Sequence, residues 1–352
     1  MRQLSISLAL ALLVLIGQGG AQAQTPTPID QALTWLRTQQ QPDGGFSNGF
    51  APGSDPGTTA DSVLAIVAGG QDPSAWQIGD ATPLAYLEAA LGAQPPAPGL
   101  AAKLALAAVA AGSDPTRLGG VDLIAAVESA YEPASGLYGS GPFDSALALL
   151  ALHAAARPIP AEAAEGLLAY RLEDGSFAFS GDRTPGSGDS NTTALAVQAL
   201  VAAGRVGDVG PSIAYFLATQ NADGGWTYQK PSAFGEATDA NSTALVIQAL
   251  LAAGEDLSTW GDPRLALLSL QAPSGAFIFN AATSAENLLA TVQAIPAAAG
   301  MNYTGVGTST GGAGDLGPPV RLDTRLVAGV LGALTLILIG GAWVARRSRQ
   351  QA

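Results

Sequence analysis

The chain contains no cysteine and only one histidine among its 352 residues. Without cysteine it can form no disulfide bond, no zinc site with thiolate ligands and no cysteine nucleophile. The histidine, His153, lies late in an apolar segment near Arg157, and we interpret it as a structural or surface residue, not as the base of a catalytic triad. The acidic loops lack the Asp-x-Asp-x-Asp-Gly spacing of a calcium loop. We therefore expect no catalytic residue, no bound metal and no cofactor.

Charged residues are scarce as well. They make up 12% of the chain, whereas hydrophobic residues make up 48%, which favours a large buried core over disorder. Acidic residues outnumber basic ones by 28 to 15, so the net charge is -13. Because an acidic surface repels nucleic acid, we expect no nucleic-acid partner.

Residues 1–23 have the pattern of a secretory signal peptide. Arg2 precedes an apolar run from Leu4 to Gly17, and Ala21-Gln22-Ala23 provides a small-x-small cleavage site. The pattern predicts an exported protein, with an uncleaved membrane anchor as the alternative.

A second long apolar stretch lies near the C-terminus. Residues 326–345 carry no charge, and a helix of this length, at 1.5 Å per residue, is about 30 Å long and can cross the lipid bilayer. An arginine cluster follows at once, and the positive-inside rule keeps it cytoplasmic. We predict a transmembrane helix over 324–346 and a cytoplasmic tail over 347–352, giving a single-pass plasma-membrane protein with an extracellular N-terminal domain. Removal of this stretch in exchange for another anchor is the alternative.

The sequence between these segments is repetitive. A Gly-x-aromatic element recurs about every 40 to 50 residues, the period of a repeat architecture. In the best copy, a helix ends at Gln220, glycines turn the chain, and Trp226 follows as an apolar plug. Asp239 and its short polar neighbours then cap a helix that is apolar almost all round. The plugs, which we expect to be wedged between repeats, are Phe46, Tyr138, Phe177, Trp226 and Phe277.

One further unit, at 82–112, lacks its aromatic residue, so residues 24–300 contain six helix pairs. Each pair has an amphipathic helix followed by an apolar one, which predicts two concentric layers with the apolar helices inside. The expected fold is all-α, an α6/α6 toroid. A stalk over 301–323, rich in Gly, Thr and Pro, follows it.

Two stretches carry a family resemblance. The Gln…Gly-Gly-aromatic pattern at 216–226, and less perfectly at 35–46, resembles the repeats of the prenyltransferase and squalene cyclase superfamily. Within that superfamily, Asp239-Ala-Asn-Ser-Thr-Ala-Leu and the ending 289–297 with Asn302-Tyr303 are similar to the α-domain of the intrinsic factor and transcobalamin proteins and their bacterial surface relatives. The resemblance implies the toroid fold and, for the narrower group, a corrinoid ligand.

The sequence departs from each of these families. The cyclases use an Asp-x-Asp-Asp acid and many aromatics, but the motif is absent and aromatics make up 6%. The protein prenyltransferases bind zinc through Asp, Cys and His, and there is no cysteine. In the cobalamin carriers a β-rich domain closes over the ligand, so a separate lid chain would be needed here. We expect a non-catalytic binder of a small molecule, corrinoid-like or not, or of a glycan.

Polar side chains inside the apolar helices are the candidate ligand residues. Asn241 and Gln248 are seven residues apart and share one face, and Asn191 with Gln198 repeats the spacing. Burying an unpaired amide costs about 1–3 kcal/mol, so these side chains either line a cavity or hydrogen-bond between helices. Loop aromatics, Tyr228, Phe234 and Phe179, are expected at its rim. Gln293 is aligned with Gln248, Glu286 lies seven residues before Gln293, and Asp61 falls on the same stripe of polar positions. The candidates are therefore Asp61, Gln198, Asn241, Gln248, Glu286, Gln293 and Tyr228.

Two other functions stay open. A toroid enzyme would use carboxylates such as Asp61 and Glu286, which would have to converge within roughly 5–10 Å. An adhesion or assembly scaffold would have a filled cavity and an apolar patch on its rim. Four side chains, Asp144, Asp189, Asp239 and Asn241, are expected to act as helix caps, with ligand contact as the alternative.

Overall fold

The computed structural model describes residues 26–92, 96–233 and 235–307. These ranges form twelve α-helices and one short β-hairpin. The expected signal peptide, transmembrane helix and cytoplasmic tail lie outside the described residues and stay predictions. Within the described ranges, no helix is both long and apolar enough to cross a membrane.

The helices alternate between an outer and an inner layer. The outer helices are α1 (Pro28–Thr38), α3 (Pro83–Ala90), α5 (Leu123–Ser129), α7 (Ala161–Leu168), α9 (Gly210–Thr219) and α11 (Pro263–Leu268). The inner helices are α2 (Pro56–Ala68), α4 (Pro98–Ala110), α6 (Pro142–Ala154), α8 (Ser190–Ala202), α10 (Ala240–Ala252) and α12 (Leu288–Ala298). Strands β1 (Tyr131–Glu132) and β2 (Leu137–Tyr138) pair antiparallel between α5 and α6.

The inner helices form a closed ring. Each packs against the next inner helix, and α12 packs against α2. Because the inner helices are enclosed by neighbours on nearly every side, their sequences are apolar almost all round, whereas the outer helices bury one face. The predicted α6/α6 toroid is therefore confirmed for the described residues.

A glutamine at the end of an outer helix ties each of several repeats to the next. Gln220 Nε2 donates to Gly224 O of its own turn and to Trp260 O of the next unit, at 2.9 and 3.0 Å. Gln271 in the last repeat donates in the same way to Pro28 O at 2.8 Å, in the first repeat. One recurring side chain therefore also closes the ring.

The aromatic plugs are buried, as the repeat pattern predicts, and none is more than 2% exposed. Trp226 is held at both ends, because its backbone N–H donates to Thr243 Oγ1 at 3.0 Å and its Nε1 donates to Phe216 O at 2.8 Å. The same backbone bond to a hydroxyl four residues past the next N-cap recurs with Thr59, Ser145, Thr193 and Thr291. The unit without a plug also lacks a side-chain cap on α4.

Two of the four predicted caps are confirmed, whereas Asn241, two residues after the N-cap Asp239, lies inside α10. Asp189 and Asp239 begin α8 and α10, and each accepts a 2.7 Å hydrogen bond from a backbone N–H of the first turn. Asp144 is not an N-cap. Since Pro142 occupies the first helical position, α6 begins earlier than expected, after Gly141, and Asp144 lies inside its first turn.

The last inner helix begins later and ends later than expected. The sequence predicts a helix over 284–294 that stops before Pro296, but α12 starts after the N-cap Asn287 and continues through the proline to Ala298. Proline removes only one N–H from the ladder, and this position is close to the end of the helix. Glu286 therefore precedes α12 and does not lie on it.

The start of the predicted stalk belongs to the toroid. Residues 301–307 include a 3₁₀ turn, Tyr303–Gly305, that packs on α6, α8 and α10. The Tyr303 N–H donates to Gln198 Oε1 at 2.9 Å, and His153 Nε2 donates to Thr304 O at 3.1 Å. The expectation of a flexible segment is wrong for these seven residues, and the interpretation of His153 as structural is confirmed.

Candidate ligand-binding cleft

A cleft of about 670 Å³ opens at the N-terminal ends of α2, α8, α10 and α12. Its rim has four aromatic side chains, Trp35, Phe50, Tyr228 and Phe279, and the aliphatic Leu288 and Leu289. Its polar groups include the amides of Gln39, Gln41, Asn48, Asn191, Asn241 and Gln293, and two carboxyl groups, Asp239 and Glu286. An aromatic rim around an amide-rich floor is thus the character of this cleft.

The repeat pattern explains two of the rim aromatics. Tyr228 and Phe279 each lie two residues after a plug, where the chain crosses the N-terminus of the preceding inner helix. The Tyr228 carbonyl accepts from Ser190 N and the Phe279 carbonyl accepts from Ala240 N, both at 2.8 Å. This crossing leaves the two rings 45% and 38% exposed at the cleft.

Tyr228 thus lies at the rim as predicted, and Phe279 is a rim residue that the sequence reasoning missed. Its signal is the position two residues after a plug. Phe179 occupies the same position one repeat before Tyr228. It packs against Phe143, with 4.9 Å between ring centroids, and does not line the cleft. The third expected rim residue, Phe234, lies outside the described residues.

Amides from adjacent inner helices form part of the floor. Asn241 Nδ2 on α10 donates to Gln293 Oε1 on α12 at 2.8 Å. Asn191 holds the corresponding position on α8, and its Oδ1 is buried without a hydrogen-bond partner in the described structure. A buried acceptor left unpaired costs about 1–3 kcal/mol. This oxygen therefore marks a place where a donor from a ligand or water would be stabilising.

A carboxylate on the rim is held by a tryptophan. Trp35 Nε1 donates to Glu286 Oε2 at 2.8 Å. Hydrogen bonds from Ser274 and then from Trp35 lower the pKa of Glu286, so it is ionised at neutral pH. No Lys, Arg or His is among the described residues that line the cleft. The electrostatic potential of the cleft is therefore negative.

Two buried carboxyl groups lie below the rim. Asp189 and Asp239 are 1% and 2% exposed, and burial raises the pKa of each to about 6, against the opposing effect of hydrogen bonds from the first turn of each helix. Partial burial and then the charge of Asp189 raise the pKa of Tyr228 to about 12. The Tyr228 hydroxyl is thus close to this carboxylate, yet Asp189 Oδ2 has no partner with hydrogen-bond geometry.

The predicted stripe of polar side chains lies at different depths along the inner helices. Gln248 lies nine residues after its N-cap, whereas Gln293 and Asp61 lie six residues after theirs. The alignment of Gln293 with Gln248 is therefore wrong by three residues, because α12 begins later than expected. The amides nearest the caps face the cleft, and those nine residues in lie deeper.

Three predicted residues are not at the cleft. Asp61 forms a 2.9 Å ion pair with Lys103 inside the ring. Gln198 is occupied by the C-terminal turn, and Gln248 is 1% exposed with its Oε1 unpaired among the described residues. Since Asp61 does not line the cleft, it does not face Glu286 across it, and the proposed acid–base pair is not assembled there. Four predicted residues do line the cleft: Tyr228, Asn241, Glu286 and Gln293.

Comparison with known proteins supports the fold. No protein-family model matches the sequence, and no curated protein matches it significantly. Among solved structures, the type II terpene cyclase MstE from Scytonema aligns over 77% of this chain and 96% of its own, with 14% identity and a TM-score of 0.56. An unsaturated glucuronyl hydrolase specific for heparin aligns over 77% and 94%, with 12% identity and a TM-score of 0.55. The chain has the α/α-toroid fold.

At such identities the likeness shows the toroid fold alone. Haptocorrin in complex with Cbi aligns over 78% of this chain and 67% of its own at 15% identity, with a TM-score of 0.48, which is too low to support an argument about the ligand. The function of this toroid is therefore argued from the residues of its cleft.

Proposed function

We propose that this protein is a membrane-anchored, cell-surface toroid that binds a glycan in the cleft without catalysing a reaction. The observation that carries the proposal is the combination, in one open cleft, of aromatic side chains with several amides, one of which, Asn191, has an oxygen without a partner in the described structure. A sugar ring offers an apolar C–H face that packs on an aromatic ring, and hydroxyl groups that both donate and accept. Amides do the same, so the two surfaces are complementary.

The size and charge of the cleft support this choice. A volume of about 670 Å³ lies within the usual range for small-molecule pockets. The absence of a cation among the described lining residues disfavours ligands whose recognition depends on phosphate, sulfate or carboxylate groups.

The position of the tether supports display at a cell surface. The last described residue, Gly307, lies against Ala154 and Val109, at the C-terminal ends of α6 and α4. The cleft opens at the opposite end of the ring. A chain that leaves Gly307 toward a transmembrane helix over 324–346 would attach the toroid by the end on which residues 301–307 pack, here called the closed end, so the cleft would face away from the bilayer.

A second candidate is glycan hydrolysis, and a specific observation favours it. Asp239 and Glu286 line the same cleft, and their pKa values are shifted in opposite directions, as in enzymes that pair an acid with an ionised carboxylate. Against it, both Asp239 oxygens accept hydrogen bonds from Ser242, at 2.7 and 2.9 Å, and so serve as a helix cap. We therefore favour binding.

A matched pair of phenylalanines tests the binding site. Phe279 and Phe179 hold the same repeat position, but only Phe279 lines the cleft. The full-length protein is screened on a glycan array, and the affinity for the best ligand is measured by calorimetry. We expect Phe279→Ala to weaken binding about tenfold, since stacking is worth about 1–2 kcal/mol, and Phe179→Ala to leave it unchanged.

Equal affinity of both variants and the parent would place the ligand elsewhere and overturn the proposal. Mass spectrometry of the glycan after incubation separates the two functions. Cleaved products that disappear in Asp239→Asn would support hydrolysis, and an intact glycan supports binding alone.

A further inference from the structure

Glu286 differs from Asp239, the other carboxyl group among the described lining residues, in having no capping role, and neither of the two has a protein cation. The ion pairs of the described residues engage five cations, and none of them contacts Glu286. Asp239, by contrast, is a buried cap. Glu286 is exposed in the cleft, so a ligand can reach it.

The Glu286 carboxylate is nevertheless held in place. Oε2 accepts from Trp35 Nε1 at 2.8 Å, and the nearby Ser274 side chain also helps to lower the pKa of this carboxyl. The backbone is fixed by a bridge to Ile278 on one side and by the N-cap Asn287 on the other. A preorganised acceptor loses little side-chain entropy when it binds a donor.

Aromatic rings share the cleft with this negative group. Trp35, Tyr228 and Phe279 line the same cleft, and the faces of aromatic rings attract a cation. No lysine or arginine among the described lining residues competes for the carboxylate. A cationic group of the ligand would therefore gain from the fixed negative charge of Glu286 and from the aromatic lining, whereas an uncharged acetamide at the same place would leave that charge without a counterion.

We propose that Glu286 recognises a primary ammonium group, so that the ligand is a glycan that contains unacetylated amino sugars. This inference rests on the proposed function, because it assigns the chemical class of glycan to the same cleft. Trp35 and Ser274 act as positioning residues for the carboxylate.

The test compares two probes that differ only in the amine. Calorimetry measures the affinity of the full-length protein for a glucosamine oligosaccharide and for the N-acetylglucosamine oligosaccharide of the same length. We expect the glucosamine oligomer to bind about tenfold more tightly, and the difference to shrink as salt is added, because a charge-assisted contact is screened. Glu286→Gln is expected to abolish the preference while keeping the fold, as monitored by circular dichroism.

The chain offers a matched control. Glu255 accepts from Trp260 Nε1 at 3.3 Å, which repeats the Trp–Glu contact away from the cleft. Glu255→Gln should keep the full preference for the amine. If both oligomers bind alike, or Glu286→Gln keeps the preference, the amine inference is wrong while glycan binding stands. If neither oligomer binds and the array detects no glycan, the proposed function fails together with the inference.

Discussion

The two ends of the toroid use the same helices in different ways. At the open end, inner-helix amides such as Asn191 and Asn241 line a cleft, and the buried Asn191 Oδ1 lacks a partner in the described structure. At the other end, Gln198, on the same helix as Asn191, accepts from Tyr303 N, and residues 301–307 pack across α6, α8 and α10. The difference teaches that the repeat supplies polar positions at both ends, and the segments that cross each end decide whether a ligand can reach them.

The ends also differ in buried charge. Asp189 and Asp239 are buried at the open end, and the pKa of each is raised to about 6. Deeper in the ring, Asp61 forms an ion pair with Lys103. The closed end has Tyr303, whose pKa is raised by burial and by the charge of Asp61, so its hydroxyl stays protonated at neutral pH. Sensitivity to mildly acidic pH should therefore belong to the open end.

The largest expected effect is on that pH dependence. Between about pH 4 and pH 6 the native state binds more protons at Asp189 and Asp239 than the unfolded state does, so stability falls as pH rises. A shift of about two pKa units corresponds to about 3 kcal/mol for each carboxyl. The double variant Asp189→Asn, Asp239→Asn keeps the caps, because asparagine is a good N-cap, and its urea-unfolding free energy should lose this slope.

An exposed cap provides the contrast. Asp256 caps the 3₁₀ turn Leu257–Trp260, and hydrogen bonds from Ser258 lower its pKa. Its stabilising contribution is lost as pH falls, which is the opposite sign, so Asp256→Asn should leave the open-end slope in place. A double variant that keeps the parent pH profile would show that the buried carboxyls are not its source.

The next largest effects should come from aromatic residues at the two ends, one of which should affect stability and the other binding. Tyr303 is partly buried against the core at the closed end, so its truncation should cost less than the 3–5 kcal/mol, roughly, of a fully buried aromatic residue. We expect Tyr303→Ala to lower the unfolding free energy by about 2 kcal/mol and to leave glycan affinity unchanged. Phe50, which is 97% exposed at the open end, is the converse case. Phe50→Ala should lower affinity with little loss of stability, and a reversal of either result would contradict this division.

Mutations of two deeply placed glutamines should change the unfolding free energy in opposite directions. Gln198 and Gln248 lie at the same repeat position, but only Gln198 accepts from the C-terminal turn, whereas Gln248 Oε1 is buried and unpaired. Gln198→Leu leaves the Tyr303 N–H without its partner and should cost about 1–2 kcal/mol. Gln248→Leu removes an unpaired acceptor and should add about 1 kcal/mol. Thermal and urea unfolding measure the stability of both variants. If the two stabilities change in the same direction, the assignment is wrong.

The repeating sequence pattern made most of the fold predictable. Plugs such as Trp226 and caps such as Asp239 are short-range signals, since each follows from the residues that must end one helix and begin the next. The Gln220 and Gln271 side chains show how the same signal extends to contacts between repeats. Ring closure follows once six such units are counted.

The cleft was less predictable, because it depends on helix register and on loops. A three-residue error in α12 placed Gln293 at the wrong level and put Glu286 on a helix that it precedes. The packing of residues 301–307 on the ring depends on contacts with α6 and α8 that are distant in sequence. The spacing of the amides left open whether they line a cavity or hydrogen-bond between helices, and the structure shows both, since Asn191 lines the cleft and Asn241 also bonds to Gln293. The spacing did not predict which end of the ring would be open.

The smallest effect on stability should accompany a clear effect on binding. Asn191 Oδ1 has no partner in the described structure, so Asn191→Ala removes a buried acceptor and should leave the unfolding free energy within about 1 kcal/mol of the parent. Asn241→Ala breaks the 2.8 Å bond to Gln293 and should cost about 1 kcal/mol. If the Asn191 oxygen accepts a ligand hydroxyl, glycan affinity in calorimetry should fall several-fold in Asn191→Ala although its stability is kept. Unchanged affinity there would mean that water, not the ligand, satisfies this oxygen, and the floor of the binding site would then be confined to α10 and α12.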